Sequence, residues 1–107
     1  MSLAILDTAD QPITYISFQQ EENSDSAIIV IRVPCAAGQS LTADDIAETR
    51  VLARENGTMD TFVDIATSPI DLSPYAGTNQ DFDVKVHTNG VSGIVSTAVE
   101  VRVTYNP

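Results

Sequence analysis

The strongest constraint on the fold is an alternation of apolar and polar residues in two stretches, 81–88 and 96–105. A period of two is expected of β-strands that have one buried face. Because a short polar segment with two glycines joins the stretches, the sequence predicts an antiparallel hairpin with a loop longer than the minimal turn. A hairpin alone is not stable in water, so earlier segments must supply a second apolar layer. The alternating apolar residues are Phe82, Val84 and Val86, then Val99, Val101, Val103 and Tyr105.

The length and charge of the chain restrict its function. Its 107 residues are typical of a single domain, residues 1–107, that can bury a core without disulfides. Fifteen Asp and Glu residues against five Lys and Arg give a formal net charge of -10. Because such a surface repels phosphates and anionic lipids, we expect no nucleic-acid or membrane partner. A protein partner, or further copies of the chain in a larger assembly, would suit it better.

Targeting signals are not evident in the sequence. No apolar run approaches the ~20 residues that span a bilayer. The first residues, Met-Ser-Leu-Ala-Ile-Leu-Asp, have no basic region and meet an acid almost at once, so we expect no secretory signal peptide.

Several segments before position 81 have the composition of strands. Residues 27–33 are the most apolar run and are predicted to form a central strand that ends at Pro34. Residues 13–18 are rich in β-formers, but their apolar parity changes between Tyr15 and Ile16, which indicates a bulge or a strand covered on both sides. Residues 70–72, between two Ser-Pro pairs, leave room for a short edge strand. The polar residues 19–26 predict a solvated loop.

Residues 40–57 carry signals for both helix and strand. Thr42 and Asp45 resemble a capping box, acids come early and arginines late, and Asn56-Gly57 could close a helix. We expect one short helical turn over residues 42–47. The alternative is a helix over this stretch that ends at Asn56-Gly57, and one continuous helix over residues 50–64 would contradict a sandwich.

Asn56-Gly57 is also the strongest signal for a two-residue hairpin turn, and the segments on both sides of it are rich in β-formers. We therefore expect a hairpin after the helical turn. The predicted opposite pairs are Val51 with Phe62 and Arg50 with Val63.

About seven short strands separated by turn signals predict an all-β fold, a two-sheet antiparallel sandwich with one short helical turn. From Thr49 onward, the order of elements resembles a fibronectin type III or related immunoglobulin-like domain. This resemblance implies a non-catalytic, adhesion-type module. Domains of this kind that lack an export signal are often components of bacteriophage virions, such as decoration or tail proteins. The resemblance is carried by the Asn-Gly turn, Phe62, the strand at 70–72 with Pro74, Phe82-x-Val84-x-Val86, Asn89, Gly90, Gly93, Ser96 and the final valine-rich strand.

Candidate reactive residues are few. Cys35 is the only cysteine, and we expect a small buried hydrophobe rather than a nucleophile. His87 falls on the outward face of its strand and has no second histidine or cysteine at ligand spacing. Asn56-Gly57-Thr58 matches the glycosylation sequon, but the turn interpretation is preferred.

Pairs of carboxylates could coordinate calcium, which takes six to eight oxygen ligands. None has the spacing of a known calcium loop, so we expect them to lie on solvated faces. The sequence therefore predicts no catalytic residue, no cofactor and no metal site. The pairs are Asp7 with Asp10, Asp44 with Asp45, and Asp81 with Asp83.

Two functions follow as hypotheses. The first is a structural or interaction module of a larger assembly, located on a virion or a cell surface, whose contacts run through strand edges and the loops at residues 19–26 and 89–94. The second is a carbohydrate- or calcium-binding accessory module. Its sugar platform would have to come from Tyr15, Tyr75 and Tyr105, because the chain has no tryptophan.

Overall fold

The computed structural model describes residues 2–3, 5–44, 49–88, 90, 93 and 95–105. Within these residues the chain forms short strands and one 3₁₀ turn at Ser73–Tyr75, and no helix there is long and apolar enough to cross a membrane. The strands are β1 (Ser2–Leu3), β2 (Ile5–Leu6), β3 (Pro12–Ile13), β4 (Tyr15–Gln20), β5 (Ile29–Pro34), β6 (Gln39–Asp44), β7 (Thr49–Glu55), β8 (Val63–Asp64), β9 (Ile70–Asp71), β10 (Asn79–Thr88) and β11 (Val95–Tyr105).

The strands form two antiparallel sheets, as the sequence predicted. In the first sheet β11 pairs with β6 on one side and with β1 and β4 on the other, and β9 extends β6 at the edge. In the second sheet the order is β3-β2-β5-β10-β7-β8. The chain is therefore an all-β sandwich whose two sheets enclose one core.

The core is built by the alternating residues of both sheets. Phe82 is its largest fully buried side chain, and the edge of the Tyr75 ring meets it with the ring centroids 5.7 Å apart. The predicted inward residues of the last two strands are buried where the structure describes their side chains. They are Phe82, Val84 and Val86 in β10 and Val99, Val101 and Val103 in β11.

The predicted hairpin of the last two strands is wrong. β10 lies between β5 and β7 in the second sheet, and β11 lies in the first sheet. The alternation identified the dry face of each strand, but a dry face does not specify the neighbour. Here the two strands face the same core from opposite sheets, and the segment between them crosses from one sheet to the other.

The parity change near Tyr15 also marks a crossing between sheets. β3 pairs with β2 in the second sheet, and β4 pairs with β11 in the first, with only Thr14 between them. A bulge or a doubly covered strand is not needed to explain it. The central strand predicted at 27–33 is confirmed as β5, although it begins at Ile29, and β9 is confirmed as a short edge strand at Ile70–Asp71.

The helical turn predicted at 42–47 is wrong for residues 42–44, which belong to β6, and residues 45–47 lie outside the described part of the chain. The Thr42 hydroxyl donates to the carbonyl oxygen of Arg102 on β11, 3.3 Å away, instead of capping a helix. Pairing with β11 therefore overrides the local capping signal. The short helical turn that the structure does contain is the 3₁₀ turn at Ser73–Tyr75.

The hairpin around Asn56-Gly57 is present, but its register differs from the prediction. β7 and β8 pair Ala53 with Val63 and Leu52 with Asp64, so the loop is longer than two residues. A two-residue type I′ turn needs positive φ at both central positions, and only Gly57, at 76°, has one. A continuous helix over residues 50–64 is excluded, because residues 50–55 belong to strand β7.

Candidate interaction surface

Cys35 and His87, the candidate reactive residues, both make structural contacts. Cys35 is buried in the core, as predicted, and its thiol donates to the carbonyl oxygen of Val33 at 3.3 Å. Burial raises the pKa of the Cys35 thiol, which disfavours the thiolate. His87 lies on the outer side of β10, where its Nδ1 pairs with the carboxylate of Asp25. Asp25 also lies 3.9 Å from Nζ of Lys85.

The carboxylates that were considered as calcium ligands, and predicted to be solvated instead, mostly face arginines. Asp7 instead closes a turn, where its Oδ1 accepts hydrogen bonds from the backbone N–H groups of Ala9 and Gln11. Asp45 lies outside the described residues. Across residues 2–3, 5–44, 49–88, 90, 93 and 95–105, no group of three His, Cys, Asp or Glu side chains is placed to hold a metal ion. The ion pairs are Asp10 and Asp81 with Arg32, Asp83 with Arg54, and Asp44 with Arg102.

Asp83 is a correction to the predicted solvated face, because it is only 5 % exposed. Its carboxylate accepts a hydrogen bond from Nδ2 of Asn56 at 2.6 Å and from Nε of Arg54 at 3.3 Å. Burial acts to raise the pKa of Asp83, but the donors Asn56, Arg54 and the Gly57 N–H together outweigh it, so the pKa lies below its ordinary value. Asn56, the sequon residue, therefore has a structural partner in the turn.

The loop after β7 explains this burial. Phe62 lies on the outer face of the second sheet, with Arg54 4.4 Å and Lys85 4.5 Å from its ring centroid. The sequence predicted Phe62 within a strand. In the structure Phe62 precedes β8 and helps to cover the outer face of the second sheet near Asp83.

The structure brings together the two loops that the sequence proposed as contact sites. Gly90 N–H donates to Oδ1 of Asn23 at 2.8 Å, and Gly93 N–H donates to Oε2 of Glu22 at 3.3 Å. Asn23 has a φ of 50°, which turns the chain sharply at the tip. Positions 89, 91, 92 and 94 are outside the described residues. Gly90 and Gly93 are therefore joined to the loop at residues 19–26, and we call these joined residues the tip.

Thr88 and Gln20 anchor that tip from inside. The fully buried Thr88 hydroxyl donates to the carbonyl oxygen of Glu21 at 2.8 Å and accepts from the Ser24 N–H at 3.2 Å. Nε2 of Gln20 donates to the carbonyl oxygens of Ser24, at 2.6 Å, and of Val86, at 2.9 Å. No sequence motif pointed to this cluster, because it joins residues more than 60 positions apart.

A β-bulge separates the tip from β5. β5 pairs with β10 as far as Ile29 opposite Val84, and an isolated bridge then joins Asp25 to His87. Two residues separate these pairs on β10 and three on the other segment, so the segment contains one extra residue. Ile28, which lies in the bulge, is 49 % exposed.

β4 presents a free backbone edge. The hydrogen bond from Val101 N–H to the Thr14 carbonyl oxygen (3.2 Å) fixes which residues of β4 face β11. Because successive residues direct their backbone groups to opposite sides, every second residue of β4 points away from β11. Among the described residues, nothing hydrogen-bonds to the outward N–H and C=O groups of Tyr15, Ser17 and Gln19.

A groove of about 310 Å³ runs between this edge and the segment that leads into β5. We call the groove and the free edge of β4 together the β4 flank. Phe18 and Ile29 give the groove its apolar side chains, both only partly buried. Oε1 of Gln20 is buried and accepts no hydrogen bond from the described residues. The groove is lined by Ser17, Phe18, Gln19, Gln20, Asp25, Ser26, Ala27 and Ile29.

Comparison of the chain with protein-family models, curated proteins and solved structures found no match.

The tyrosines proposed as a sugar platform lie on different elements. Tyr15 is 58 % exposed on β4. Tyr75 lies in the 3₁₀ turn, packs on Phe82, and donates its hydroxyl to Oε2 of Glu55 at 3.1 Å. The side chain of Tyr105 is outside the described set. Tyr15 and Tyr75 do not form a shared flat surface, because one projects from an edge strand and the other packs into the core.

The sequence predicted β4 as a strand but gave no sign that it would be an edge. Its composition pointed the other way, because residues Tyr15–Gln20 contain no charge and no proline, the two features that commonly protect edges.

Proposed function

We propose that this chain is a non-catalytic interaction module that attaches to a larger assembly through the β4 flank. The observation that carries the proposal is the free edge of β4, six uncharged residues beside a partly apolar groove. The other strands at the sheet edges, β1, β3, β8 and β9, have two residues each. An unprotected edge of this length is a template for pairing with another chain.

The lack of catalysis is part of the proposal. The Cys35 thiol is buried and the His87 ring is paired with Asp25, so neither supports a nucleophile with a base. The formal net charge of -10 favours a protein partner over nucleic acid or an anionic membrane.

In its narrower form, the proposal is an immunoglobulin-like domain of the fibronectin type III kind on a bacteriophage virion, as a decoration or tail protein. Its support is the two-sheet antiparallel sandwich, with which that fold is compatible, and the resemblance of residues 49–105. A location on a virion or another surface belongs to the same proposal.

The alternative, a carbohydrate- or calcium-binding accessory module, has one favourable observation, the exposed ring of Tyr15. The engagement of Tyr75 with Phe82 and Glu55 weakens the sugar site. The arginines that face the candidate carboxylates weaken the calcium site, because their charge opposes a cation.

Sedimentation with purified phage particles would test the proposed function. We expect the wild-type protein to pellet with particles that lack their own copy of it, or to elute as an oligomer in size-exclusion chromatography with light scattering. As a control, Met59→Ala should bind particles like the wild type, because Met59 is 98 % exposed in the loop before β8 and lies outside the flank. A protein that stays monomeric and binds no particle would contradict the proposal. So would glycan-array binding, or a calcium-dependent rise in Tm, without any such association.

A further inference from the structure

We infer that the β4 flank binds an extended segment of a partner protein, which carries Lys or Arg among alternating apolar residues and joins the first sheet as an added strand. This inference rests on the proposed function and specifies the class of partner. Three features of the flank carry it: the backbone edge, the side chains of the groove and the surrounding charge.

The backbone edge gives the occupant its extended conformation. Tyr15, Ser17 and Gln19 direct their N–H and C=O groups outward, which is the hydrogen-bonding pattern that a sixth strand of the first sheet would complete. Main-chain hydrogen bonds of this kind supply affinity in strand addition, whatever the partner's sequence.

The groove gives the occupant its alternation. Because a strand directs every second side chain to one face, alternate residues of the added strand would enter the groove between β4 and the bulged segment. There they would meet Phe18 and Ile29, which are only partly buried in the free domain.

The charge at the end of β4 decides between a foreign segment and a second copy. Glu21 and Glu22 follow β4 directly and are exposed, and Asp25 lines the groove. Lys85 offsets only part of this negative charge through Asp25. A second copy would bring the same formal net charge of -10, whereas a segment with Lys or Arg complements the acids.

A short synthetic peptide in which Val alternates with Lys and Thr is a suitable probe, with binding followed by NMR on the labelled full chain. We expect shift changes confined to β4 and residues 25–29. Ser17→Pro removes one outward N–H and leaves the pairing with β11 intact, so we expect affinity to fall about tenfold. Ser17→Ala keeps that N–H and loses the same hydroxyl, so it should bind more tightly than Ser17→Pro, whereas Met59→Ala, outside the flank, should bind like the wild type.

A second pair of probes keeps the test valid if Ser17→Pro fails to fold. The same peptide, N-methylated at every residue, has no N–H to donate on either edge, so it cannot form the ladder and should lose binding to the wild-type protein. Replacing its lysines by glutamates should also weaken binding. Equal binding of the methylated peptide, shift changes elsewhere, or no binding at all would overturn strand addition, and equal binding of the acidic peptide would overturn the charge argument. A wild-type dimer that Ser17→Pro abolishes would make a second copy the occupant and overturn the choice of partner.

Particle binding by the wild type and by Ser17→Pro separates this inference from the proposed function. If wild type and Ser17→Pro pellet equally with particles, strand addition at β4 is wrong, while attachment to a larger assembly stands. If wild type pellets with no particle but binds the peptide as expected, the strand site stands while the proposed assembly is wrong.

Discussion

Asp83 and Arg54 lie directly opposite each other on β10 and β7, and Nε of Arg54 is 3.3 Å from Oδ2 of Asp83. The carboxylate is nearly fully buried, although it alternates with core residues on the outer face of its strand. Around this pair, Asn56 and Phe62 from the loop at residues 56–62 cover part of the outer face of the sheet.

Asp83→Asn should destabilise the domain at neutral pH by about 1–3 kcal/mol, because it removes a charged acceptor from Asn56 and Arg54. Urea unfolding at pH 7 measures this change in the free energy of unfolding. Asp60→Asn, at an exposed position of the same loop, should have little effect. A loss for Asp83→Asn no larger than for Asp60→Asn would contradict the role given to this carboxylate.

The same carboxylate predicts a pH dependence. The pKa of Asp83 is lower in the folded than in the unfolded chain. Its stabilisation is therefore complete above the unfolded value and is lost as the pH falls below about 4, through the folded pKa. Unfolding curves between pH 7 and pH 2 should show a shallower acid loss for Asp83→Asn than for wild type. Parallel profiles would show that Asp83 is not the titrating group.

Thr88→Val should cost about 1–3 kcal/mol, because it keeps the volume of a buried side chain but removes the hydroxyl that joins Glu21 and Ser24. Hydrogen exchange at the Ser24 amide should become faster in the variant. Thr88→Ser retains the hydroxyl and should preserve most of the protection at Ser24. Unchanged exchange in Thr88→Val would mean that other contacts hold the tip.

Hydrogen exchange along β4 should alternate in the free domain. The outward amides of Tyr15, Ser17 and Gln19 should exchange on the order of a hundredfold faster than those of Ile16 and Phe18, which face β11. NMR exchange at a single pH provides the comparison within one strand. Uniform protection of all five amides would mean that the edge is already covered.

Phe82→Ala should destabilise the domain by about 3–5 kcal/mol, because it leaves a cavity where β10 meets the ring of Tyr75. Met59→Ala, at a side chain that is 98 % exposed, should change stability by less than about 0.5 kcal/mol. Chemical unfolding of both variants makes the comparison, and similar values would contradict the assigned core.

The two-sheet architecture could be predicted from the sequence, because a strand with one buried face has an apolar residue at every second position. Phe82, Val84 and Val86 identified one inner face, and Val101 and Val103 the other. The pairing of those strands could not be predicted, since the alternation is the same whether the next strand lies in the same sheet or in the opposite sheet.

Local signals failed where distant contacts outweigh them. Thr42 carries a capping pattern but forms a strand against Arg102, sixty positions later. Asn56-Gly57 predicted the hairpin but not its register, because Asn56 is held by Asp83 and keeps a negative φ. The β4 flank was missed for the same reason, since only the pairing of β4 with the last strand makes it an edge.

The position of β11 in the first sheet also bears on how the chain is made. β1, β4 and β6 all pair with β11, which follows them by at least fifty residues of sequence. Until residues 95–105 have left the ribosome, those three strands lack the partner that joins them. At a translation rate of roughly 5–20 residues per second, the apolar faces of these strands stay uncovered for several seconds. A nascent chain stalled before residue 95 should therefore recruit chaperones, whereas release of the completed strand should let the sheet close in one step.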